Sequence, residues 1–585
     1  MYLCGAKTRM FMSKKFLFLI CTLFVGGMQA IAQDFENATD AVKNMGLGWN
    51  LGNTLDATKW DVQSDWNWES ITDHEQGWGQ PITKPELLKM MKDAGFGAIR
   101  VPVTWFQEMD SNGKVKEVFM NRVKEVVDYV ISQGLYCILN VHHDTGAHDV
   151  SWLVADETIY NNTKDRYENL WKQIAEKFKD YDQRLLFEGY NEMLDNLNSW
   201  CFASFNATDR YDASVATSAY NAINGYAQSF VNAVRATGGN NAKRNLIVNT
   251  YGCCSGGGTW NPHLKDPLKE MKLPTDAAGE GHIIFQVHAY PSIVNTSNGK
   301  ITGNRTIDSI QSEIDDMINA WKEHLVSKGA PVILGEWGTS NVDGEVTDYD
   351  ARRDLMFQFC EYFVKQCKAN DIATFYWMGL TDGMARFFPA FSQPDLAKTL
   401  LQAYHGTDFN PVLPDAQKYS ISCTVDFTNQ WGELYLYNGS SFTSADYSSI
   451  VLELEEAPSS GSVQFKVYCS KYSNGYSRDI TAAESTLPFA ATMGTIKSIT
   501  LQCKQNSARV KVKSVKLKKK NGEVLLCNPS VAWNCTMSDI TVTTGINSVK
   551  SDVPSDSRIY DLMGRQISNP TKGIYIRNGK KYIVK

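Results

Sequence analysis

The sequence lacks the signatures of several common classes of protein. Its 13 cysteines include no CxxC pair or other metal-ligand spacing, and the eleven that follow Cys4 and Cys21 are odd in number, so neither a zinc site nor a disulfide scaffold is predicted. The net charge of −6 gives no sign of nucleic-acid binding. After residue 32, no apolar run is long enough for a membrane helix, and the mature chain is expected to have no transmembrane segment.

The first 32 residues have the pattern of a secretory signal peptide. Lys14 and Lys15 precede the apolar run 16–25, and Ala30-Ile31-Ala32 supplies a small-x-small cleavage site before Gln33. The apolar run is too short to span a bilayer comfortably. We therefore expect export of the mature chain, to the medium or the cell surface.

The segment from residue 40 to 408 alternates short apolar runs with helical periodicity. The full chain has 585 residues, of which 43% are apolar, and a chain of this length and composition can form more than one hydrophobic core. Eight strands, each followed by a helix, predict a (β/α)₈ barrel; a doubly wound sheet is the competing fold, but no glycine-rich phosphate fingerprint follows the first strand. The predicted strands are 46–51, 98–103, 135–141, 185–190, 246–250, 282–287, 332–336 and 372–377.

The sequence changes character after residue 408. Residues 409–418 are predicted to be a linker, and 419–545 show the period-two alternation of an antiparallel β-sandwich. This sandwich is a carbohydrate-binding module or a spacer, and the rings of Trp431, Tyr435, Tyr437, Tyr472 and Tyr476 fit either interpretation, because strand faces cannot be assigned without the register. The tail, 546–585, contains a hairpin pattern around Asn578-Gly579.

Two of the predicted barrel strands end in a glutamate. Residues 185–190 lead to Asn191-Glu192, and residues 332–335 lead to Glu336. Parallel barrels place their chemistry at the carboxyl ends of the strands. A pair of carboxylates there is typical of glycoside hydrolysis, in which one acts as an acid and the other as a nucleophile or base.

Other strand exits also carry polar or aromatic residues, which predicts a single cleft at one rim. Strand five contributes no residue to this set. The candidate residues are Asn53, Arg100, Trp105, His142, His143, Asp144, Asn191, His288, Tyr290 and Trp377.

Six short motifs, in order along residues 40–408, resemble the successive blocks of glycoside hydrolase family 5, and most closely its cellulase-like endo-β-1,4-glucanase branch. They are GWNLGN (48–53), IRVPVTW (99–105), NVHHD (140–144), NE (191–192), VHAY (287–290) and GE (335–336). Two positions depart from the family pattern. Met193 stands where proline is usual after the glutamate, and Trp377-Met378-Gly379 stands where the family has Trp-Asp-Asn. The first change affects loop shape, and the second affects the sugar cleft and so the substrate preference.

The resemblance implies Glu192 as the acid/base and Glu336 as the nucleophile of a retaining endo-β-1,4-glucanase that acts on plant-type β-glucan and needs no cofactor. It implies substrate contacts from Asn191 to the sugar 2-hydroxyl, from His142 and His288 at the cleavage point, and from Trp377 as a platform. Physically, Arg100 and Tyr290 would keep Glu336 ionised, whereas a less charged environment would raise the pKa of Glu192. Asn53, His143 and Trp105 are further substrate-binding candidates.

Alternatives remain at several of these positions. Glu188 shares the strand parity of Glu192, so either could be the inward carboxylate, although Glu192 lies at the strand exit. His142, His143, Asp144 and His288 could instead be metal ligands. Xyloglucan, mixed-linkage glucan and mannan are alternative substrates, and an inactive surface glycan-binding protein is an alternative function. The tail resembles the C-terminal sorting domain of type IX secretion, whose machinery would then be a partner; a hairpin that closes the sandwich is the alternative.

Overall fold

The computed structural model describes most of the chain between residues 35 and 584. The described residues are 35–58, 71–146, 151–199, 211–259, 261–298, 300–339, 352–439, 441–544, 559–560, 566–567, 573–577 and 580–584. The predicted signal peptide, 1–32, lies outside this set. The chain divides into two compact units between Pro414 and Asp415.

The first unit contains a closed barrel of eight parallel strands, as the sequence predicts. In chain order the strands of this unit are β1 Leu47–Asn50, β2 Ala98–Val101, β3 Tyr136–Asn140, β4 Leu185–Glu188, β5 Leu246–Asn249, β6 Ile283–Ala289, β7 Val294–Ser297, β8 Lys300–Asn304, β9 Val332–Trp337 and β10 Ala373–Tyr376. The barrel order is β1-β10-β9-β6-β5-β4-β3-β2, and β7 and β8 form a separate hairpin. Each barrel strand begins and ends within a few residues of its predicted bounds.

The helices of the first unit follow the strands. They are α1 Ala38–Met45, α2 Asp73–Gln76, α3 Pro85–Ala94, α4 Glu117–Ser132, α5 Glu157–Lys177, α6 Ala213–Arg235, α7 Asp266–Glu270, α8 Ile307–His324, α9 Arg353–Ala369, α10 Met384–Phe387 and α11 Pro394–His405. In α4, Val123, Val126, Val127 and Val130 are fully buried, because their spacing of three and four residues places them on one face. No described helix combines the length and the apolar composition that crossing a membrane requires.

The barrel interior is filled by apolar side chains at its amino-terminal end and by polar ones at its carboxyl end. Ile138, Leu186, Ile247, Ile284 and Ile333 come from successive strands and form one buried cluster with Met45 at the end of α1. Asn50 and Arg100, which lie nearer the strand exits, are also fully buried. The packed end fixes the strands, and the polar end is where chemistry can be placed.

The second unit is an antiparallel β-sandwich, as predicted. One sheet has the order β17-β14-β19-β11-β22 and the other β16-β15-β18-β12-β21. Its strands are β11 Tyr419–Phe427, β12 Glu433–Tyr437, β13 Phe442–Thr443, β14 Tyr447–Leu454, β15 Val463–Cys469, β16 Tyr472–Asp479, β17 Glu484–Pro488, β18 Thr495–Cys503, β19 Ala508–Lys519, β20 Val524–Cys527, β21 Ser530–Trp533 and β22 Cys535–Thr544. β13 and β20 pair with β18 and β19, respectively.

The tail contributes a further small sheet. It consists of β23 Ile559–Tyr560, β24 Gln566–Ile567, β25 Gly573–Arg577 and β26 Lys580–Val584. β25 and β26 pair antiparallel, with Arg577 opposite Lys580. This is the predicted hairpin, although its turn residues, Asn578 and Gly579, lie outside the described part of the chain.

Candidate active site

The candidate residues converge at the carboxyl end of the barrel because parallel strands deliver their exits to one rim. Arg100 lies on β2, His288 on β6 and Glu336 on β9, whereas Glu192 follows β4 by four residues. A ligand atom of Glu192, one of His288 and one of Glu336 all lie within 4.8 Å of one another. The two glutamates that the sequence singles out therefore face the same small space.

Arg100 is the centre of the charge network. Its guanidinium is fully buried and all five of its N–H groups have acceptors. Nε and Nη2 donate to the two oxygens of Glu188 at 2.6 and 2.8 Å, and Nη1 donates to Glu336 Oε1 at 2.7 Å. The remaining two N–H groups donate to Asn50 Oδ1 and Asn191 Oδ1. One rigid cation thus orients two carboxylates and two amides.

Glu188 is the structural acid of this network. It is fully buried, and Asn140 Nδ2 and Asn249 Nδ2 each donate to its Oε1 at 3.1 Å, in addition to the bidentate contact with Arg100. Burial by itself would raise the pKa of Glu188, but the charge and hydrogen bonds of Arg100 outweigh it and hold the pKa below its usual value. Its carboxylate is fully engaged by protein donors, which leaves Glu192 as the carboxylate of this segment that faces the cleft.

Glu336 is held by two donors on different oxygens. Arg100 Nη1 contacts Oε1, and the Tyr290 hydroxyl donates to Oε2 at 2.9 Å. Burial raises the pKa of Glu336 above its usual value, and the charge of Arg100 offsets only part of that rise. The predicted contacts of Glu336 with Arg100 and Tyr290 are both present, and the direct ion pair favours its charged form.

Glu192 has a different environment. It makes no ion pair with Arg100; its Oε1 lies 2.7 Å from His288 Nδ1. Burial raises the pKa of Glu192 to about 7, since the partial compensation by Arg100 is offset by the negative charge of Glu188. At neutral pH a substantial fraction of Glu192 therefore carries its proton.

His288 is neutral in this setting, because burial lowers its pKa to about 4. Gln286 Nε2 lies 3.3 Å from His288 Nε2, which makes Nε2 the acceptor and places the ring proton on Nδ1, where it is donated to Glu192. His288 thus orients Glu192 without adding a charge.

Asn191 and His142 lie beside the two carboxylates. Asn191 Oδ1 accepts from Arg100, so its Nδ2 is the atom turned toward His142 Nε2, at 3.5 Å. His142 Nε2 is 4.0 Å from Glu336 Oε1, and its Nδ1 is 3.0 Å from Asn140 Nδ2. Burial and the charge of the neighbouring His143 and Arg100 lower the pKa of His142 well below its usual value. Both side chains therefore present neutral groups next to Glu336.

The aromatic rim is formed around Trp377. Its ring stacks with that of His142 at a centroid distance of 5.9 Å and an interplanar angle of 5°. Trp377 and His143 are partly exposed, as is Asn53, which has a left-handed backbone (φ 56°) and donates its N–H to Asp56 Oδ2. These three predicted substrate-binding residues are placed where a ligand can reach them.

The prediction that Trp105 binds substrate is wrong. Its side chain is fully buried, and its indole Nε1 donates to the carbonyl of Asn140 at 2.9 Å. The rings of Trp105 and Phe119 on α4 meet edge to face. Trp105 follows β2 closely enough to turn into the core between barrel and helix, where no ligand reaches it.

Asp144 is also occupied by the protein. Oδ2 accepts from the backbone N–H of Trp105 at 2.8 Å, and Oδ1 accepts from Trp152 Nε1 at 2.6 Å. Burial raises the pKa of Asp144 to about 6 against these donors. Asp144 therefore fixes a loop, which is a structural role and not that of a metal ligand.

Sequence reasoning missed three amides that hold the network together. Asn50, Asn140 and Asn249 are fully buried, and each is the last residue of its strand, β1, β3 and β5. Asn249 Nδ2 donates both to Glu188 and to the carbonyl of Tyr190, so strand five does contribute to the site. The sequence does carry a signal for these residues, since each of the three apolar strands ends in an asparagine.

Comparison with known proteins agrees with this geometry. The model of the cellulase family, glycosyl hydrolase family 5, matches residues 55–381. Endoglucanase B of Neocallimastix patriciarum is 34% identical over 368 residues, which cover 62% of this chain and 69% of that protein. Endoglucanase A of Clostridium longisporum is 32% identical over 60% of this chain, and the match spans 61% of that protein's length.

Solved structures give the same result. A structure described as a GH5-4 broad specificity endoglucanase from an uncultured bacterium is 61% identical, with a TM-score of 0.60, and the match covers 65% of this chain and 98% of that one. A glycoside hydrolase family 5 enzyme from Prevotella bryantii B14, solved in complex with a xyloglucan tetradecasaccharide, is 40% identical with a TM-score of 0.55 over 63% of this chain and 99% of that one. With its closed barrel, its facing glutamates and a family match over more than half its length, this chain belongs to glycosyl hydrolase family 5, the cellulase family.

Proposed function

We propose that this protein is a retaining endo-β-1,4-glucanase in which Glu192 is the acid/base and Glu336 the nucleophile. The observation that carries the proposal is the close approach of these two side chains, whose ligand atoms lie within 4.8 Å, in unlike environments. Retaining glycosidases hold their carboxyl groups about 5–5.5 Å apart, whereas inverting enzymes need a wider gap for a water molecule. The pKa of about 7 for Glu192 and the Arg100 ion pair of Glu336 divide the two roles.

The reaction follows in two displacements. Glu336 attacks the anomeric carbon while Glu192 donates its proton to the leaving glycosidic oxygen, so the C–O bond breaks and a glycosyl ester of Glu336 forms. Glu192, now ionised, then accepts a proton from a water molecule, whose oxygen attacks the same carbon and releases Glu336. In this proposal Asn191 Nδ2, whose amide is oriented by Arg100, donates to the sugar 2-hydroxyl, and the partly exposed Trp377 provides a flat face beneath the ring at the cleavage point.

The substrate class is a β-linked glucan of the plant cell wall. Relatives named as endoglucanases support β-1,4-glucan, and the Prevotella bryantii enzyme in complex with a xyloglucan tetradecasaccharide makes xyloglucan the second candidate. Mixed-linkage glucan and mannan are further alternatives for the same two carboxylates. The inactive glycan-binding alternative is disfavoured because Arg100, Tyr290 and His288 contact the glutamates as a hydrolase requires.

The test is release of reducing ends from cellulose derivatives, xyloglucan, mixed-linkage glucan and mannan. Glu192→Ala and Glu336→Ala are each expected to lower kcat by several orders of magnitude. On an aryl β-cellobioside whose phenolate leaves without protonation, azide should restore turnover, with a β-glycosyl azide from the first variant and an α-glycosyl azide from the second. The matched control is Glu176→Ala, which removes an exposed glutamate from α5. Normal release by either active-site variant would refute its assigned role.

Export is part of the same proposal. We propose that the chain consists of a signal peptide (1–32), a catalytic domain (33–408), a linker (409–418), the sandwich (419–545) and a sorting-like tail (546–585). The signal peptide and the tail would deliver the enzyme to a polymer too large to enter a cell. Intact mass and terminal sequencing of the extracellular protein test this: a chain that begins at Gln33 supports the signal peptide, and one that ends before the tail supports processing by a type IX system. An extracellular chain that retains residues 1–32 contradicts it.

A further inference from the structure

The β16-β15-β18-β12-β21 sheet of the sandwich turns polar side chains outward in a way that an inert spacer does not need. Along β12, β15 and β18, alternate residues such as Leu434, Val467 and Leu501 enter the apolar core. Their neighbours point to the opposite face, where Glu433 is paired with Gln502, and Gln502 with Gln464. Glu433 is nevertheless fully buried, and Gln464 and Gln502 are less than a tenth exposed. Burying a carboxylate removes its hydration, so it is unfavourable unless hydrogen bonds replace the lost water.

The hydrogen bonds on this face are incomplete. Glu433 Oε1 accepts from the hydroxyl of Tyr468 at 2.7 Å and from Gln502 Nε2, which leaves Gln464 Nε2 to donate to Gln502 Oε1. Among the described residues, Glu433 Oε2 has no partner, and neither has Thr500 Oγ1, which is also fully buried. Leaving a buried polar atom without a partner destabilises the fold, so two such atoms in adjacent rows indicate a site that a ligand completes.

Two tryptophans border this polar face. The register places Trp533 of β21 directly opposite Glu433, so its side chain lies on the same outer face. Its indole Nε1 donates to the backbone carbonyl of Trp431 at 3.0 Å, so the turn that carries Trp431 adjoins this face. Trp431 is 49% exposed, which is uncommon for so large an apolar ring.

The backbone of Trp431 is strained. Its φ of 67° lies in the left-handed region, which bulky residues rarely adopt. The position is held by its N–H, which donates to the carbonyl of Cys503 at 2.9 Å, and by the Trp533 contact at its carbonyl. Strain that the surrounding structure maintains in order to keep a tryptophan exposed is typical of a binding site.

The other rings of the sandwich do not belong to this face. Tyr437 pairs with the core-facing Ile499 and packs edge to face on Phe442. Tyr472 and Tyr476 pair with Cys469 and Val467, which face the core, so both lie on the inner side at the opposite edge of the sheet. Among the tyrosines of this sheet that the structure describes, only Tyr435, opposite Thr500, joins Tyr468 on the outer face with Trp533.

We propose that this outer face, defined by Trp431, Trp533, Tyr435, Tyr468, Glu433 and Thr500 and here called the sandwich patch, binds a glycan chain. A sugar combines the two properties that the patch requires, because its C–H face packs on indole and phenol rings while its hydroxyls donate to buried acceptors. A sugar hydroxyl supplies the donor that Glu433 Oε2 lacks. That the glycan is the β-glucan cleaved by the barrel rests on the proposed function, since one chain would then bind and hydrolyse the same polymer.

Affinity electrophoresis of the full chain tests this site. The protein, carrying Glu336→Ala so that the polymer stays intact, is run in native gels that contain hydroxyethylcellulose, xyloglucan or, as a negative control, amylopectin. Trp533→Ala and Trp431→Ala should each weaken retardation by at least one β-glucan about ten-fold, since aromatic anchors dominate such contacts. Thr500→Val, which keeps the shape and removes the unpartnered hydroxyl, should weaken it less and without loss of thermal stability.

The controls separate the patch from the barrel. Tyr472→Ala removes an exposed ring from the core-facing side of the same sheet and should leave retardation unchanged. With Glu336 intact, Trp431→Ala should hydrolyse cellohexaose at the normal rate, because that substrate fits within a barrel cleft. Retardation that is the same for Trp431→Ala, Trp533→Ala and the parent overturns the proposal. A different result would separate the two proposals. If retardation depends on the tryptophans but the protein with Glu336 intact releases no reducing ends from any polymer, the patch is supported and the hydrolase is refuted.

Discussion

At the scale of single residues, the site depends on how one arginine is shared among four acceptor groups. Arg100 satisfies the carboxylates of Glu188 and Glu336 and the amide oxygens of Asn50 and Asn191 with one planar group, which a lysine could not do. Glu192 is left outside that network, and burial raises its pKa. In the proposed mechanism, the division of roles between two chemically identical side chains is therefore set by which of them the arginine reaches.

The first prediction concerns the pH dependence of catalysis. Glu192 must be protonated to act as the acid, and its pKa is raised to about 7, so its protonated fraction falls as the pH rises through that value. We expect kcat/KM on a soluble β-glucan to decline above about pH 7, ten-fold for each further pH unit. A profile that stays level to pH 9 would show that Glu192 is not the acid.

The second prediction concerns Glu188. Glu188→Gln removes a buried partner of Arg100, and breaking such a pair costs roughly 3–5 kcal/mol in the free energy of unfolding. Because its folded-state pKa is depressed, the stability that the ionised Glu188 contributes is present above its unfolded pKa and is lost as the pH falls through the folded value. Urea unfolding at pH 7 should show this loss of free energy of unfolding. Between neutral and acidic pH, the free energy of unfolding of the variant should change less than that of the parent. Glu176→Gln, which changes an exposed glutamate on α5, is the control and should unfold normally.

At the scale of elements, the loop after β4 carries Glu192 and is fixed by the loop after β5. The backbone N–H of Gly252 donates to the carbonyl of Met193 at 3.0 Å, and that of Ala155 donates to Leu194 at 2.8 Å. The Tyr251 hydroxyl lies within hydrogen-bonding range of Asp195 Oδ2 and of the carbonyl of Ser199. These contacts hold the loop although Met193 stands where the family usually has proline.

The third prediction follows from this loop. Tyr251→Phe removes the hydroxyl while keeping the buried ring, so the fold should survive with a loss of about 1–3 kcal/mol. A looser loop admits water to Glu192, which lowers its pKa, and the alkaline limb of the kcat/KM profile should move to lower pH. Ser214→Ala, which removes a hydroxyl from the start of α6, is the matched control. A normal rate together with an unchanged limb would show that Tyr251 does not position Glu192.

The sequence predicted elements better than contacts. The eight barrel strands are recognisable as apolar runs because both faces of a parallel barrel strand are covered. Trp105 was misplaced because the sequence shows that a residue follows a strand but not whether its side chain turns toward the cleft or into the helix layer. In the sandwich, the alternation predicts strands at 420–427, 433–437, 450–455, 463–468, 498–502 and 510–517, which correspond to β11, β12, β14, β15, β18 and β19. It does not predict β13, β16, β17, β20, β21 or β22, since their exposed and irregular residues obscure the alternation.

At the scale of the whole molecule, the residues of the active site all come from the first unit. Every hydrogen bond described around Arg100, Glu192 and Glu336 is made by residues before Pro414. The residues that order the two glutamates therefore belong to the first unit alone. The proposed contribution of the second unit is glycan binding at the sandwich patch.

The fourth prediction concerns truncation. A chain of residues 33–414 should release reducing ends from cellohexaose with a kcat within about two-fold of the full mature chain, because no group that orders the carboxylates is removed. On a long polymer at low concentration, both the truncated chain and the full chain with Trp431→Ala should hydrolyse more slowly than the parent. The two should lose rate by the same factor, because both lack the binding of the sandwich patch. Loss of cellohexaose hydrolysis by a folded truncated protein would contradict the assignment of the whole site to the first unit.

The sequence alone determined the class of barrel, the order of its strands along the chain and the identity of the paired glutamates, because apolar periodicity and the residue at each strand exit are local properties. Only the tertiary structure decided which carboxylates Arg100 contacts, which indole is buried and which face of the sandwich carries Trp533. Those outcomes depend on strand register and on residues far apart in the chain, from Asn50 to Glu336, meeting within hydrogen-bonding distance around one buried cation.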